Sequence, residues 1–390
     1  MALNGRVYLD HNATSPVRPE VQAAVARALT LSGNPSSVHA EGRAARAAIE
    51  TARDQVARLV GAKAKNVIFT SGGTEAANMV LSPSFRRLGD GRTARLVLLS
   101  TEHPCGLNGH RFDLSEVALA PCGHDGVIDL DWLEVYLGKS GEGRTLVSVQ
   151  WANNETGIVQ PVAAVSALVR HYQGLLHVDA VQAAGRLAID LPQTGADALT
   201  LSAHKIAGPK GVGAVILGTD QLEIADRLIR GGGQERGARA GTENVPAIVG
   251  FGEAASLAAA SLESEAARLL ALRMEAEERL RAVAPSAIII AEQSERLPNT
   301  FAFAIPGLKA ETALIAFDLQ GIALSSGSAC SSGKVKRSHV LDAMGVDPVL
   351  ADGVLRVSLG WTTTHEDVVR FAETCERVTG TLYKRKADAA

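Results

Sequence analysis

Lys205 is the residue whose setting most favours chemistry. It closes the string Ser202-Ala203-His204-Lys205, just after the short apolar run Ala198–Ser202. A lysine at the end of a strand flanked by other buried strands loses hydration. Its amine pKa then falls, and it becomes a nucleophile toward a carbonyl. The alternative is a surface lysine reaching into water, which suits Lys210, between Pro209 and Gly211, better than Lys205. Asp179 follows a second apolar run, Leu175–Val178, with Gln182 shortly after it. A carboxylate there is costly without a cationic partner, although an ordinary ion pair or a helix cap would also serve. After Val67–Thr70 comes Ser71-Gly72-Gly73-Thr74-Glu75. Its glycines allow close backbone approach and its helix start offers N–H groups to an anion; a glycine turn with a Thr cap is the plainer reading. His103 follows Leu96–Ser100, and the amides Asn153 and Asn154 follow Leu146–Gln150 in Trp151-Ala152-Asn153-Asn154-Glu155-Thr156-Gly157. Singly, each has a structural explanation in turn chemistry. Together they supply a phosphate cradle, a carboxylate for a ring nitrogen, amides for a ring hydroxyl and an amine for an aldehyde. That set matches pyridoxal phosphate, an electron sink once its ring nitrogen is held protonated.

Cys330 is the second candidate. It lies in Ser325-Ser326-Gly327-Ser328-Ala329-Cys330-Ser331-Ser332-Gly333, whose small residues would let a loop swing from a cofactor to an acceptor. Lys334, Lys336, Arg337 and His339 are near in sequence and would favour its thiolate. A Gly/Ser linker with a stray cysteine is the competing reading, and the cofactor set tips the balance toward a nucleophile. His103-x-Cys105 and Cys122-x-His124 do not have the spacing of common zinc motifs, so no metal site is expected. Cys375 lies on a predicted helix and is expected to be packed.

The elements that must position these groups can be read from the same pattern. Residues 20–60 read as helical, broken at Ser32-Gly33-Asn34-Pro35. From Val67 onward, short runs apolar on both faces alternate with helical stretches such as 162–172: Val67–Thr70, Leu96–Ser100, Leu146–Gln150, Leu175–Val178, Ala198–Ser202 and Ala214–Leu217. This is the signature of an α/β fold with buried strands in a largely parallel sheet. Ligands of such sheets sit beyond the carboxyl ends of the strands, where every polar group above is found. An Ala/Leu/Glu-rich helix over 247–284 links this sheet to a smaller α+β part. That part contains Thr300–Ile305, a helix near 309–319, Gly321–Leu324 and Val354–Leu359. The expected division is a large cofactor-binding domain over 16–260 and a small domain made of 1–15 and 261–390.

Composition narrows the class further. A hydrophobic fraction of 46% over 390 residues supplies a large core, and a net charge of −3 without like-charge runs gives no support for nucleic-acid or membrane-surface binding. The N-terminal residues lack a charged head followed by an apolar run, and no uninterrupted apolar stretch approaches the ~20 residues of a membrane span. Four cysteines are too few for a disulfide scaffold. A cytoplasmic protein is expected.

Several segments resemble the cysteine desulfurases of iron–sulfur cluster and nitrogenase assembly. They are Tyr8-Leu9-Asp10-His11-Asn12-Ala13, Asn34–His39, Thr70–Glu75, Glu102–Pro104, Trp151–Gly157, His177–Gln182, Ser202–Lys205, Arg239–Asn244 and Ser325–Ser331, in order along nearly the whole chain. The resemblance implies a pyridoxal-phosphate enzyme of fold type I, of the class-V aminotransferase kind, working as a homodimer and passing sulfur to an acceptor or cluster scaffold protein. It implies that Lys205 links to the cofactor aldehyde, Asp179 pairs with the pyridine nitrogen, Gln182 bonds the ring hydroxyl, and His103 stacks on the ring and helps proton transfer. Gly73, Thr74, Ser202 and His204 would hold the phosphate, and Thr242 would reach the phosphate of the other subunit. Asn154, beside the cofactor, and Arg356 would meet the substrate carboxylate. Cys330 would carry the sulfur as a persulfide. Ser15 and Ala76-Ala77 depart from the commoner family pattern. Another pyridoxal-phosphate lyase or a transaminase of the same fold remains the competing enzyme, including one favouring selenocysteine, and a non-catalytic assembly partner is the competing non-enzyme. The thiol argues against a transaminase, and the presence of Lys205, Asp179 and Cys330 argues against a non-catalytic role.

Overall fold

A computed structural model describes residues 5–139, 141, 143–327 and 337–387. Its centre is a seven-stranded sheet formed by β1 (Val67–Thr70), β2 (Arg95–Leu99), β3 (Val117–Ala120), β4 (Thr145–Gln150), β5 (Leu175–Asp179), β6 (Ala198–Ser202) and β7 (Gly213–Leu217). The spatial order is β1-β7-β6-β5-β4-β2-β3, and all strands run parallel except β7. The edge strand β3 has no counterpart in the sequence reading. Its burial is partial, and Leu119 is 55% exposed, so its apolar signal is weak.

Alternation along the strands explains why they read as continuous apolar runs. Phe69, Val97, Leu99, Val147, Val149, Leu176, Val178, Leu199 and Leu201 point into one core. Ile68, Leu96, Leu98, Leu146, Leu175 and Ala198 point into the other. Both faces are covered, so both sets must be apolar. The covering helices include α1 (Pro19–Ala28), α2 (Ala40–Leu59), α3 (Gly73–Val80), α4 (Leu130–Gly138) and α5 (Val162–His171).

Helix α6 (Val245–Val283) joins two cores. Its Val245, Ala247, Ile248, Phe251 and Ala255 pack in the core under the large sheet. Leu269, Ala276 and Leu280 pack in a separate one. By length and composition α6 could cross a membrane. Here its apolar first half is buried against the sheet and α1 and α2.

The second core lies against a four-stranded antiparallel sheet of β8 (Ile288–Ile289), β9 (Thr300–Ala304), β10 (Ser325–Ser326) and β11 (Leu355–Ser358), in the order β8-β9-β11-β10. Phe301, Phe303, Leu355 and Val357 fill it, together with Phe317 of α7 (Ala310–Leu319) and Phe371 of α8 (His365–Ala387). Val7 and Leu9, from the chain's start, join the same core, and Val7–Tyr8 pairs with Ile322–Ala323. The period of two along β11 sends Leu355 and Val357 inward, so Arg356 must face the other way.

Candidate active site

The ends of β4, β5 and β6 are held level by register. Gln150 lies opposite Asp179, and Asp179 opposite Thr200. The next residues of each connection therefore converge beyond the sheet. A cavity of about 280 Å³ opens there, lined by Gly73, Thr74, His103, Asn154, Asp179, Gln182, Ser202, His204, Lys205 and Arg356, with Asn12 and Cys105 among the other lining residues. The expected cofactor and substrate residues thus meet in one place, with two exceptions. Thr242 is exposed and does not line this chain's own cavity. Cys330 lies outside the described residues.

Lys205 ends a short 3-10 turn after β6, and its Nζ donates to the carbonyls of Asn12 at 2.5 Å and Ala13 at 2.9 Å. Asp179 accepts from Val181 N at 2.9 Å. Burial pushes its carboxyl above the usual range, against the opposing pull of the Val181 N–H, Thr200 and Lys205. A protonated ring nitrogen beside it would offset that cost. Glu102 is buried nearby, and its carboxyl is raised well above the usual range by burial first and by Asp179 second. Burial thus disfavours charge on both carboxyls; the Val181 N–H, Thr200 and Lys205 oppose that at Asp179, whereas Asp179 reinforces it at Glu102.

Gln182 Oε1 accepts from Arg186 Nη1, so the amide nitrogen is the end left to donate; it meets the Asn12 carbonyl at 3.1 Å. His103 caps a short helix, and its Nδ1 accepts from Cys105 N at 3.1 Å. Burial, then Lys205 and His339, lower its pKa to about 4. The ring is therefore neutral at pH 7, and the network assigns its proton to Nε2. His204 is likewise lowered to about 4, by burial and then by Lys205 and Lys210, and its Nδ1 lies 3.2 Å from Thr14 Oγ1.

The opposite wall is Arg356, only 3% exposed. Nη2 donates to Asp10 Oδ1 at 2.7 Å and Nη1 to the Asn154 carbonyl at 3.0 Å. Its Nε is buried without a partner among the described residues. A buried orphan donor is costly, and a ligand carboxylate in the cavity would satisfy it. The cradle also fits a phosphate: Gly73 opens α3, and a Cβ there would stand 3.1 Å from Val181 Cγ2. Amine, buried carboxylate, neutral imidazole and glycine-lined helix start are the donor set that pyridoxal phosphate requires.

Asn12 was not singled out from the sequence as a site residue. Its carbonyl holds both Lys205 and Gln182, while its side chain bonds the Asn154 carbonyl at 3.1 Å and Thr300 Oγ1 at 3.0 Å. Its only sequence signal was membership of the Tyr8–Ala13 motif. Cys105 lines the cavity, with its thiol pushed upward by burial, then by Asp179 and Glu102. Cys122 lies apart, its Sγ 3.5 Å from the Ala343 carbonyl. Cys375 is fully buried in the second core, as expected.

The chain matches the class-V aminotransferase family model over residues 7–371. It is 39% identical over 382 residues to a cysteine desulfurase of Dictyoglomus turgidum, covering 95% of this chain and 94% of the relative. It is 41% identical over 374 residues to a cysteine desulfurase of Cereibacter sphaeroides, covering 94% of each. Among solved structures, a NifS-like protein from Rickettsia africae superposes with a TM-score of 0.87 at 34% identity, covering 96% of this chain and 99% of that one. SspA in complex with cysteine superposes with a TM-score of 0.74 at 28% identity, covering 90% of this chain and 98% of that one. With matches of this length on both walls of the cavity, the chain belongs to the cysteine desulfurases, pyridoxal-phosphate enzymes of fold type I within the class-V aminotransferase family.

Proposed function

We propose that this protein removes sulfur from L-cysteine, releases L-alanine, and carries the sulfur on Cys330 to an acceptor for iron–sulfur cluster assembly or another sulfur-transfer route. The observation that carries this is one cavity lined both by Lys205, Asp179 and His103, which follow or end strands of the large sheet, and by Arg356 of the smaller sheet. Bound pyridoxal phosphate supplies an electron sink for charge developing on the substrate carbons. Gly73, Thr74, Ser202 and His204 would hold its phosphate, Asp179 its ring nitrogen, Gln182 Nε2 its ring oxygen and Lys205 its aldehyde carbon.

Arg356 and Asn154 orient the cysteine carboxylate, with Arg356 Nε supplying the unpartnered donor. Lys205 Nζ would take the substrate α-proton and return it. His103, neutral and carrying its proton on Nε2, would cover the ring face and assist proton transfer. Cys330 then attacks the substrate Sγ as a thiolate. A new S–S bond forms, the C–S bond breaks with its electron pair passing to carbon, and a proton completes alanine.

The same reading makes the active enzyme a cytoplasmic homodimer, in which Thr242 meets the phosphate of the other subunit. It divides the chain into a large body, 16–260, and a small body of 1–15 and 261–390. The packing of Val7 and Leu9 with Leu269, Leu280 and Phe371 supports that division. The direct test is to give purified protein pyridoxal phosphate, L-cysteine and a thiol reductant, and to measure alanine and sulfide. Equal release of both is expected; absence of alanine would overturn the proposal.

A further inference from the structure

Glu155 is a buried carboxylate with no part in the chemistry above, and it is 6% exposed. It sits in the turn after β4, one residue beyond Asn154. The turn is fixed by Asn153, whose Oδ1 accepts from Glu155 N at 2.8 Å, Thr156 N at 2.9 Å and Thr156 Oγ1 at 3.1 Å. Asn153 Nδ2 in turn donates to the Thr101 carbonyl at 3.2 Å. The backbone of Glu155 is thus tied through Asn153 to Thr101, whose carbonyl also accepts from the cavity-lining Gln150.

Its side chain points the other way, into the place where the chain leaves for Cys330 and returns from it. Ser338 Oγ donates to Glu155 Oε2 at 2.5 Å. A Cβ built on Gly327 would stand 2.2 Å from the same oxygen. So the last residue before the Cys330 stretch packs its backbone on this carboxylate, and a residue just after it hydrogen-bonds to it. Both points are themselves fixed. Ser325 and Ser326 pair with Arg356 and Leu355. Ser338 caps the following helix by accepting from Leu341 N at 3.2 Å, and His339 Nε2 lies 2.8 Å from the Glu102 carbonyl. A side chain at 327 would force the Glu155 carboxylate to shift, which gives that glycine a structural reason beyond chain freedom.

We propose that Glu155 is a positioning residue: its carboxylate ties both stems of the Cys330 stretch to the turn carrying Asn154, and so sets the reach of the thiol toward substrate sulfur. A desolvated carboxylate is expensive to bury. Here burial raises its pKa to about 7 against the opposing pull of Ser338 and Arg356. Core packing alone would not favour that choice over an apolar residue.

The proposal rests on Cys330 being the sulfur carrier, so the experiment begins with the wild type. Treated with limiting cysteine and no reductant, it should gain one sulfur on the Cys330 peptide by mass spectrometry. Sulfur on another cysteine would remove the carrier reading, and this proposal with it. Two signals are then followed in Glu155→Ala, Glu155→Gln and Ser338→Ala: the rate of the cysteine-induced cofactor spectral change, and the single-turnover rate of sulfur appearing on Cys330. Misplacing a reacting group by about 1 Å can cost up to ~100-fold. Glu155→Ala should therefore slow transfer about tenfold or more while leaving the spectral change within about twofold. Glu155→Gln keeps an acceptor for Ser338 and should recover transfer to within about threefold of wild type. Ser338→Ala leaves Glu155 in place and should slow transfer by a few fold, which keeps the test open if Glu155→Ala does not fold. Undiminished transfer in both alanine variants would overturn the proposal. So would equal loss of both signals in them, because that would mark a general structural role.

Discussion

Lys205 and Arg356 face the same cavity from opposite sides, and the chain positions them by different means. Lys205, Asp179 and Ser202 stand within a few residues of adjacent parallel strands, so the register of β5 and β6 nearly fixes them. Arg356 comes from a different sheet. It is steadied by Asp10, from the chain's start, and by the Asn154 carbonyl, from the turn after β4. The cofactor wall is set mainly by the register of one rigid sheet, with Asn12 and Ala13 reaching it from the chain's start; the substrate wall depends on a second sheet and on Asp10 and Asn154. Changes on the first wall should therefore act on cofactor chemistry alone. Changes on the second should mix substrate binding with stability.

The hardest test of this contrast is Lys205→Ala. Turnover should fall at least about a thousandfold, from the combined loss of nucleophile and proton carrier, with the melting temperature little changed. The visible band of the linked cofactor should vanish; a band that persists unchanged would place the linkage elsewhere. Next comes Cys330→Ser, which should keep cofactor binding and the cysteine-induced spectral change yet lose most alanine release, because a hydroxyl is a poor nucleophile toward sulfur. Cys105 sharpens this test, since it lines the same cavity. Its upward-shifted thiol argues that it will not substitute, and full turnover by Cys330→Ser would show that it does.

Arg356→Lys should raise KM by about thirtyfold, the equivalent of ~2 kcal/mol for a lost charge-assisted contact, with kcat less affected. Lysine retains a charge for Asp10, whereas Arg356→Ala would strand Asp10 and leave the Asn154 carbonyl with Asn12 Nδ2 only. The alanine variant should therefore melt lower than the lysine variant, and equal melting temperatures would mean that the second wall is as independent as the first.

The smallest expected effect on turnover belongs to Glu155→Gln, whose signature is instead in stability against pH. Folded Glu155 holds its proton up to about 7, whereas the ordinary value is 4.5. Between those values the folded state binds more protons than the unfolded state, so this group's contribution is full below 4.5 and is lost as pH rises through about 7. Urea melts should show the wild type losing roughly 3 kcal/mol relative to the glutamine variant as pH rises across that window. Parallel curves would mean that Glu155 is ionised throughout.

The amino-acid sequence by itself determined the large sheet and the cofactor wall. Strands buried on both faces must be apolar at every position, so β1, β2, β4, β5, β6 and β7 stood out as runs, and the polar groups after them had to lie beyond the strand ends. The edge strand β3 did not stand out, because Leu119 meets water and the run lacks an unbroken apolar signal. Arg356 was placed only by resemblance. On β11 it is one polar residue between two buried ones, a pattern that ordinarily means a solvent face; the tertiary structure turned that face into the cavity and buried it. Asn12, Glu102 and Glu155 were decided by tertiary structure alone. Asn12 acts partly through its backbone carbonyl, which any residue type would offer. The two glutamates depend on what lies across space from them: Asp179 for Glu102, and Gly327 with Ser338 for Glu155. Periodicity reports which face of an element is dry, whereas long-range packing decides which dry place holds a charge and what that charge can touch.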